Sequence, residues 1–157
     1  MTGSLFFLVS LGLASSVAAA DYNLSSLAGS AAAASDIQVD NAPLFAAEVD
    51  RSTRFVESMM AKGVVVPVPK DPGGGYTHEQ HKRNYKAIYE GGQLYRITGE
   101  QKYADYVRDI LLAYADLYPT LGDHPARANQ NTGRIFWQVL NDAMWQVYSI
   151  QGYELIR

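Results

Sequence analysis

The sequence predicts an all-α fold. Apolar residues return at three- and four-residue spacing in four separate stretches. The prolines and most glycines fall between those stretches, where helices are expected to stop. The β-branched run Val64 to Val68 is cut by Pro67 and followed by Pro69, which argues against a strand.

Taken in order, Leu5 to Leu13 is an apolar run of signal-peptide length, too short to span a bilayer. Ala18-Ala19-Ala20 before Asp21 then gives a small-residue cleavage pattern. Residues 1–20 are therefore expected to be a cleaved signal peptide, leaving a periplasmic or secreted chain with no membrane attachment. Residues 21–40 are rich in Ser, Ala and Gly and read as a linker. Asp40 or Asn41 can cap a first helix with Pro43 in its opening turn. Its stripe is Leu44, Phe45, Val49, Ser52, Phe55, Val56, Met59 and Met60, and it ends near Gly63.

Lys70-Asp71-Pro72-Gly73-Gly74-Gly75 is a shaped loop without the spacing of a phosphate loop. Thr77 with Gln80 reads as a capping box for a second helix reaching about Ile97. Thr98-Gly99 stops it, and a third helix runs from Glu100 until Pro119. Its stripe is Tyr103, Tyr106, Val107, Ile110, Leu111, Tyr114 and Leu117. Leu121 to Thr132 is a polar loop, and a last helix is expected from Gly133 to Leu155. That helix stays apolar to the end with no Gly or Pro stop, so the sequence is expected to be the N-terminal part of a longer protein.

The last helix carries the clearest chemical signal. At 100° per residue, Phe136, Val139, Leu140, Ala143, Val147 and Ile150 share a side, which reads as the core face. Arg134, Gln138, Asn141 and Trp145 share the other, with Tyr148 at its border. Amides both donate to and accept from sugar hydroxyls, and an indole can stack on a sugar ring. The competing reading is that Trp145 packs under a neighbour and the amides cap local backbone. The stretch His78-Glu79-Gln80-His81-Lys82-Arg83-Asn84-Tyr85-Lys86 is dense in cations and aromatics. It can meet an anion at the positive end of a helix dipole, or be an ordinary solvated first turn. His78 and His81 lie one turn apart, but with no third ligand evident they call for no metal. His124 stands alone in a loop and is given no role.

Composition removes several classes. The chain has 157 residues, a formal net charge of -3 and no Cys. No thiolate metal site or cysteine nucleophile is possible, and nucleic-acid binding is not expected. No cofactor is implied.

The connected string Val66-Pro67-Val68-Pro69-Lys70-Asp71, Tyr76-Thr77-His78-Glu79, Lys82, Asn84-Tyr85, Tyr95 and Thr98-Gly99 resembles the oligoalginate lyases, polysaccharide lyase family 17. The likeness continues through Lys102-Tyr103-Ala104, Tyr106-Val107-Arg108-Asp109, Tyr118-Pro119-Thr120-Leu121-Gly122, Gly133-Arg134, Phe136-Trp137-Gln138 and Leu140-Asn141. It covers about residues 65–153. It implies that residues 41–157 are the first hairpins of an (α/α) toroid, cut before the rest of that toroid and a C-terminal β-sandwich. The implied reaction is β-elimination on alginate or another uronate polysaccharide or oligosaccharide. The family's Asn-His pair would fall beyond Arg157, and no Asn-His dipeptide occurs here, so no catalytic residue is assigned. The resemblance supports a substrate wall of Gln138, Asn141, Arg134 and Trp145, with Lys82 and Tyr85 from the second helix. The alternatives are a non-catalytic, tetratricopeptide-like scaffold, suggested by the Tyr85 to Pro119 hairpin, or a sugar-binding module without chemistry.

Overall fold

The computed structural model describes residues 43–127 and 131–157. The expected signal peptide, linker and Asp40 or Asn41 cap lie outside the described residues. Four helices follow in order: α1 Pro43–Met60, α2 Tyr76–Thr98, α3 Gln101–Leu117 and α4 Val139–Ile156. A 3-10 turn, Tyr118–Thr120, closes α3. Among the described residues there is no strand, so this part of the protein is all-α.

Helix α2 lies at the centre and packs against α1, α3 and α4. The core gathers Val56 and Met59 of α1, Ala87, Ile88 and Leu94 of α2, and Tyr103, Val107, Ile110 and Tyr114 of α3. Ile135 and Phe136, from the segment before α4, complete it with no exposed surface. Most of the stripes expected for α1 and α3 face inward, as their spacing requires. Leu44 is the exception, at 89% exposed. Two ion-pair clusters tie α1 to its neighbours. Buried Glu90 meets Arg51 Nη2 at 3.0 Å and Lys86 Nζ at 3.7 Å. Glu57 meets Lys102 Nζ at 3.0 Å and accepts from the Tyr103 hydroxyl at 3.2 Å.

The start of α2 corrects one expectation. Gln80 does not close a capping box; its Nε2 donates to Asn84 Oδ1 at 2.9 Å. Asp71 does the capping from the preceding loop. Its Oδ2 accepts from both the Thr77 amide and the Thr77 hydroxyl at 2.9 Å. The Thr77 Oγ1 in turn accepts from the amides of Lys70 and Asp71. These bonds hold the Asp71 carboxyl below its usual range, the backbone bond from Thr77 contributing most. The Pro/Gly segment is thereby closed onto the helix.

Helix α4 corrects two more. It begins at Val139 rather than Gly133, because residues 134–138 form bends. It also faces the other way. Val139, Leu140, Val147 and Ile150, expected in the core, are 52%, 69%, 49% and 62% exposed. The buried side carries Asp142, Ser149 and Gly152, flanked by half-buried Trp145 and Tyr148. The reason is backbone proximity. A Cβ on Gly152 would stand 2.4 Å from Ile88 Cγ2 and 2.6 Å from Ile88 O. Across the seam, a Cβ on Gly92 would stand 3.0 Å from Gly152 O. Small residues let the two backbones meet, with Ile88 against Gly152 and Leu155 against Gly92, so the four exposed apolar residues take no part in the contact.

Candidate functional site

The site is built outward from Phe136. Its ring takes the edges of His78 and His81 at centroid distances of 5.0 and 5.8 Å, and Tyr85 lies at 6.3 Å. His124 is buried as well, at 1% exposed. All three histidines of the chain are therefore in the interior, which removes the reading of His78 and His81 as a solvated first turn. His81 Nδ1 shares a 2.8 Å hydrogen bond with the Tyr114 hydroxyl. Asn84 Nδ2 donates to that same hydroxyl at 3.2 Å and to the Val65 carbonyl at 2.8 Å. Burial, followed by repulsion from His124 and His78, lowers the His81 pKa to about 4. Burial also lowers those of His78 and His124. The three rings are thus neutral at neutral pH. Among the described residues no His, Asp and Glu group is arranged to hold a metal ion.

The segment carrying Phe136 is held by Asp142. Its Oδ2 accepts from the Arg134 amide at 2.6 Å and its Oδ1 from the Phe136 amide at 2.7 Å. A Cβ on residue 133 would meet Asp142 Oδ2 at 2.6 Å, so the turn requires Gly133. These bonds keep residues 133–138 out of the helix that their apolar spacing suggests. The His124 amide donates to Gly133 O at 2.9 Å and joins the two ends of the preceding loop.

Two surfaces lie on this base. In the first, the Arg134 guanidinium lies 5.4 Å over the Tyr118 ring. Trp145 stacks on Tyr118 at 5.7 Å and contacts Tyr114 at 5.1 Å. Gln138 is exposed and caps α4 through its backbone, its carbonyl accepting from the Asn141 amide at 3.0 Å. Asn141 is half-buried on the first turn of α4.

The second surface is an open cleft of about 470 Å³ between α1, α2 and α4. Lys82, Tyr85, Lys86 and Tyr89 recur at helical spacing along α2 and line it. Phe55 enters from α1 and Tyr148 from α4. Tyr148 stacks on Tyr85 at 5.1 Å and takes an edge contact from Tyr89 at 5.4 Å. Arg83, Glu79 and Glu90 complete the lining. Burial pushes the Tyr85 phenol pKa up, so it stays a neutral donor at neutral pH.

The six residues expected to contact substrate therefore separate. Arg134 and Trp145 meet around Tyr118, with Gln138 and Asn141 at the adjoining start of α4. Lys82 and Tyr85 line the cleft. Arg134 and Gln138 lie before the helix, so the shared helical face inferred for them with Asn141 and Trp145 is not formed. The sequence reading placed Lys86 in the cationic stretch but passed over Tyr89 and Glu90 as cleft residues. Their helical spacing after Lys82 was a usable signal. The roles of Asp142 and His124 had none, because both depend on contacts between loops and helices.

No protein-family profile matches the chain. Two curated proteins do. Over 112 residues, 71% of this chain and 15% of the relative, it is 58% identical to an exo-oligoalginate lyase of Saccharophagus degradans. Over 115 residues, 73% of this chain and 16% of the relative, it is 58% identical to an alginate lyase of Stenotrophomonas maltophilia. The chain thus spans about a sixth of the length of these relatives. Neither relative carries the name of a helical-repeat scaffold, and that alternative is not favoured. Identity at this level over 71% and 73% of its length makes the chain a homologue of these two lyases, matching a stretch of each about a sixth of its length.

Proposed function

We propose that this chain is part of a polysaccharide lyase that cleaves alginate or its oligosaccharides by β-elimination. The observation that carries the reading is the 58% identity with two proteins named as alginate or oligoalginate lyases. The site chemistry agrees with it. A cationic, aromatic cleft in a chain of net charge -3 suits an acidic sugar.

β-Elimination has three requirements. The uronate carboxylate must be neutralised so that the C5 proton becomes acidic, a base must take that proton, and an acid must protonate the departing O4. In this reading the described residues serve the first requirement and hold the sugar. Arg134 supplies a fork for a carboxylate. Gln138 and Asn141 exchange hydrogen bonds with hydroxyls, and Trp145 gives an apolar wall. Lys82 and Tyr85 act from the cleft. Proton transfer belongs to residues outside these 157. The exposed apolar face of α4, at Val139, Leu140, Met144, Val147 and Ile150, is the surface on which further toroid helices would pack. Export by residues 1–20 is part of the same proposal. Among the described residues no helix is long and apolar enough to cross a membrane.

The test is the full-length protein incubated with alginate oligosaccharides. Elimination creates an unsaturated uronate, read by ultraviolet absorbance. New reducing ends without that absorbance would indicate hydrolysis and overturn the proposal, as would no cleavage at all.

A further inference from the structure

The cleft between α1, α2 and α4 holds more than the two residues that the sequence singled out. Lys82 is paired with Glu79 at 3.4 Å, and Lys86 with Glu90 at 3.7 Å. Arg83 is exposed and has no ion pair among the described residues. It is the cation of this cleft left to meet an anion. Glu90 is 6% exposed and lines the cleft; its Oε1 takes Arg51 and Lys86, while Oε2 is buried with no hydrogen-bond partner among the described residues. An unpartnered buried carboxylate oxygen is costly unless a donor reaches it. A simple anion such as phosphate would be repelled there. An acidic sugar brings both groups in one ring, a carboxylate for a cation and hydroxyl donors for a carboxylate. Tyr148, with Tyr85 and Tyr89 against it, supplies the apolar surface that a sugar ring covers. The volume, about 470 Å³, lies within the range of small-ligand sites.

We propose that this cleft binds one uronate residue of the substrate, with Arg83 on its carboxylate, Glu90 accepting from a hydroxyl and Tyr148 beneath the ring. The proposal rests on the lyase reading above and adds Arg83, Glu90 and Tyr148 to the residues that hold substrate.

The experiment compares full-length wild-type protein with Arg83→Gln, Tyr148→Leu and an Arg108→Gln control on α3. Arg83 and Arg108 are both exposed, so neither change disturbs the core. Lyase kinetics are measured with alginate trisaccharide at low and high salt. Arg83→Gln is expected to raise KM about tenfold at low salt, less at high salt, with kcat nearly unchanged. Arg108→Gln is expected to match wild type. Equilibrium binding by calorimetry, using a uronate monosaccharide, which has no glycosidic bond to eliminate, a neutral monosaccharide and inorganic phosphate, then reads the cleft without turnover. The uronate alone should bind, and the Arg83 and Tyr148 variants should each weaken it by about tenfold. Unchanged KM and unchanged uronate affinity in Arg83→Gln would overturn the cleft assignment while leaving the lyase reading intact. Equal affinity for the neutral sugar or for phosphate would also overturn it. Uronate binding without any elimination by wild type would retain the cleft and sink the lyase reading.

Discussion

Acid should unfold this protein through one histidine cluster. His81 has no exposed surface, and its pKa falls to about 4 from an ordinary 6.5. A histidine whose pKa is depressed by folding favours the folded state while neutral. Its contribution is complete above the unfolded pKa and is lost as pH falls from about 6.5 toward 4. Over the whole window the loss from His81 is about 3 kcal/mol, at ~1.4 kcal/mol per unit. At about pH 5 the two binding curves leave a loss of about 2 kcal/mol from His81. His78 and His124 act in the same direction, both depressed first by burial. The carboxylates confuse the reading little. Glu48, Glu57 and Asp71 all titrate below their ordinary 4.5, 4.5 and 3.8, so they remain charged at that pH. The assay is urea unfolding at about pH 7.5 and about pH 5, for wild type and His81→Gln. Glutamine cannot take up a proton in this range, and the variant should lose about 2 kcal/mol of the pH dependence. Equal stability of wild type at the two pH values, or an unchanged pH dependence in His81→Gln, would refute the reasoning.

Three further outcomes are expected. Phe136→Ala should cost about 3–5 kcal/mol by opening a cavity under His78, His81 and Tyr85, seen as a lowered Tm. In the full-length protein, Gln138→Ala and Asn141→Ala should lower kcat/KM for alginate about tenfold to a hundredfold while Tm barely moves, because neither side chain is fully buried. Normal turnover in both would remove them from the substrate wall. Protein recovered from the periplasm should begin near Asp21 on N-terminal sequencing, and an intact Met1 there would contradict the signal peptide.

Helices α1 and α3 were legible because each shows one apolar stripe to the core, and α2 because Thr98-Gly99 stops it; all three have a Pro or Gly near the end. The last helix was not. Gly133 to Gln138 keeps helical spacing, yet the Asp142 carboxylate takes two of its amides and holds it in bends. The faces of α4 reversed for a related reason. Spacing ranks residues by hydrophobicity, whereas Gly152 is buried because it lets Ile88 come close. The histidines were misplaced in the same way. A local pattern shows which residues share a helix turn, but the segments before α2 and α4 that enclose His78 and His81 come from elsewhere in the chain. The cationic and aromatic character of Lys82 to Lys86 was readable, whereas the partners Tyr148 and Phe55 could be found only by folding.

The glycine seam between α2 and α4 has a mechanical consequence. Where the helices meet at Gly92, Gly152 and Ile88, the side chains of Leu155 and Ile88 press directly on the two glycines, which leaves little room for the helices to slide or separate. The two helices should move as one body. Tyr85 on α2 and Tyr148 on α4 would then keep their spacing whatever happens around them. Any breathing of the cleft must come from its third wall, α1, or from the exposed arms of Lys82 and Arg83. Slow exchange of the α2 and α4 amides, beside faster exchange in α1, would be the signature of that division.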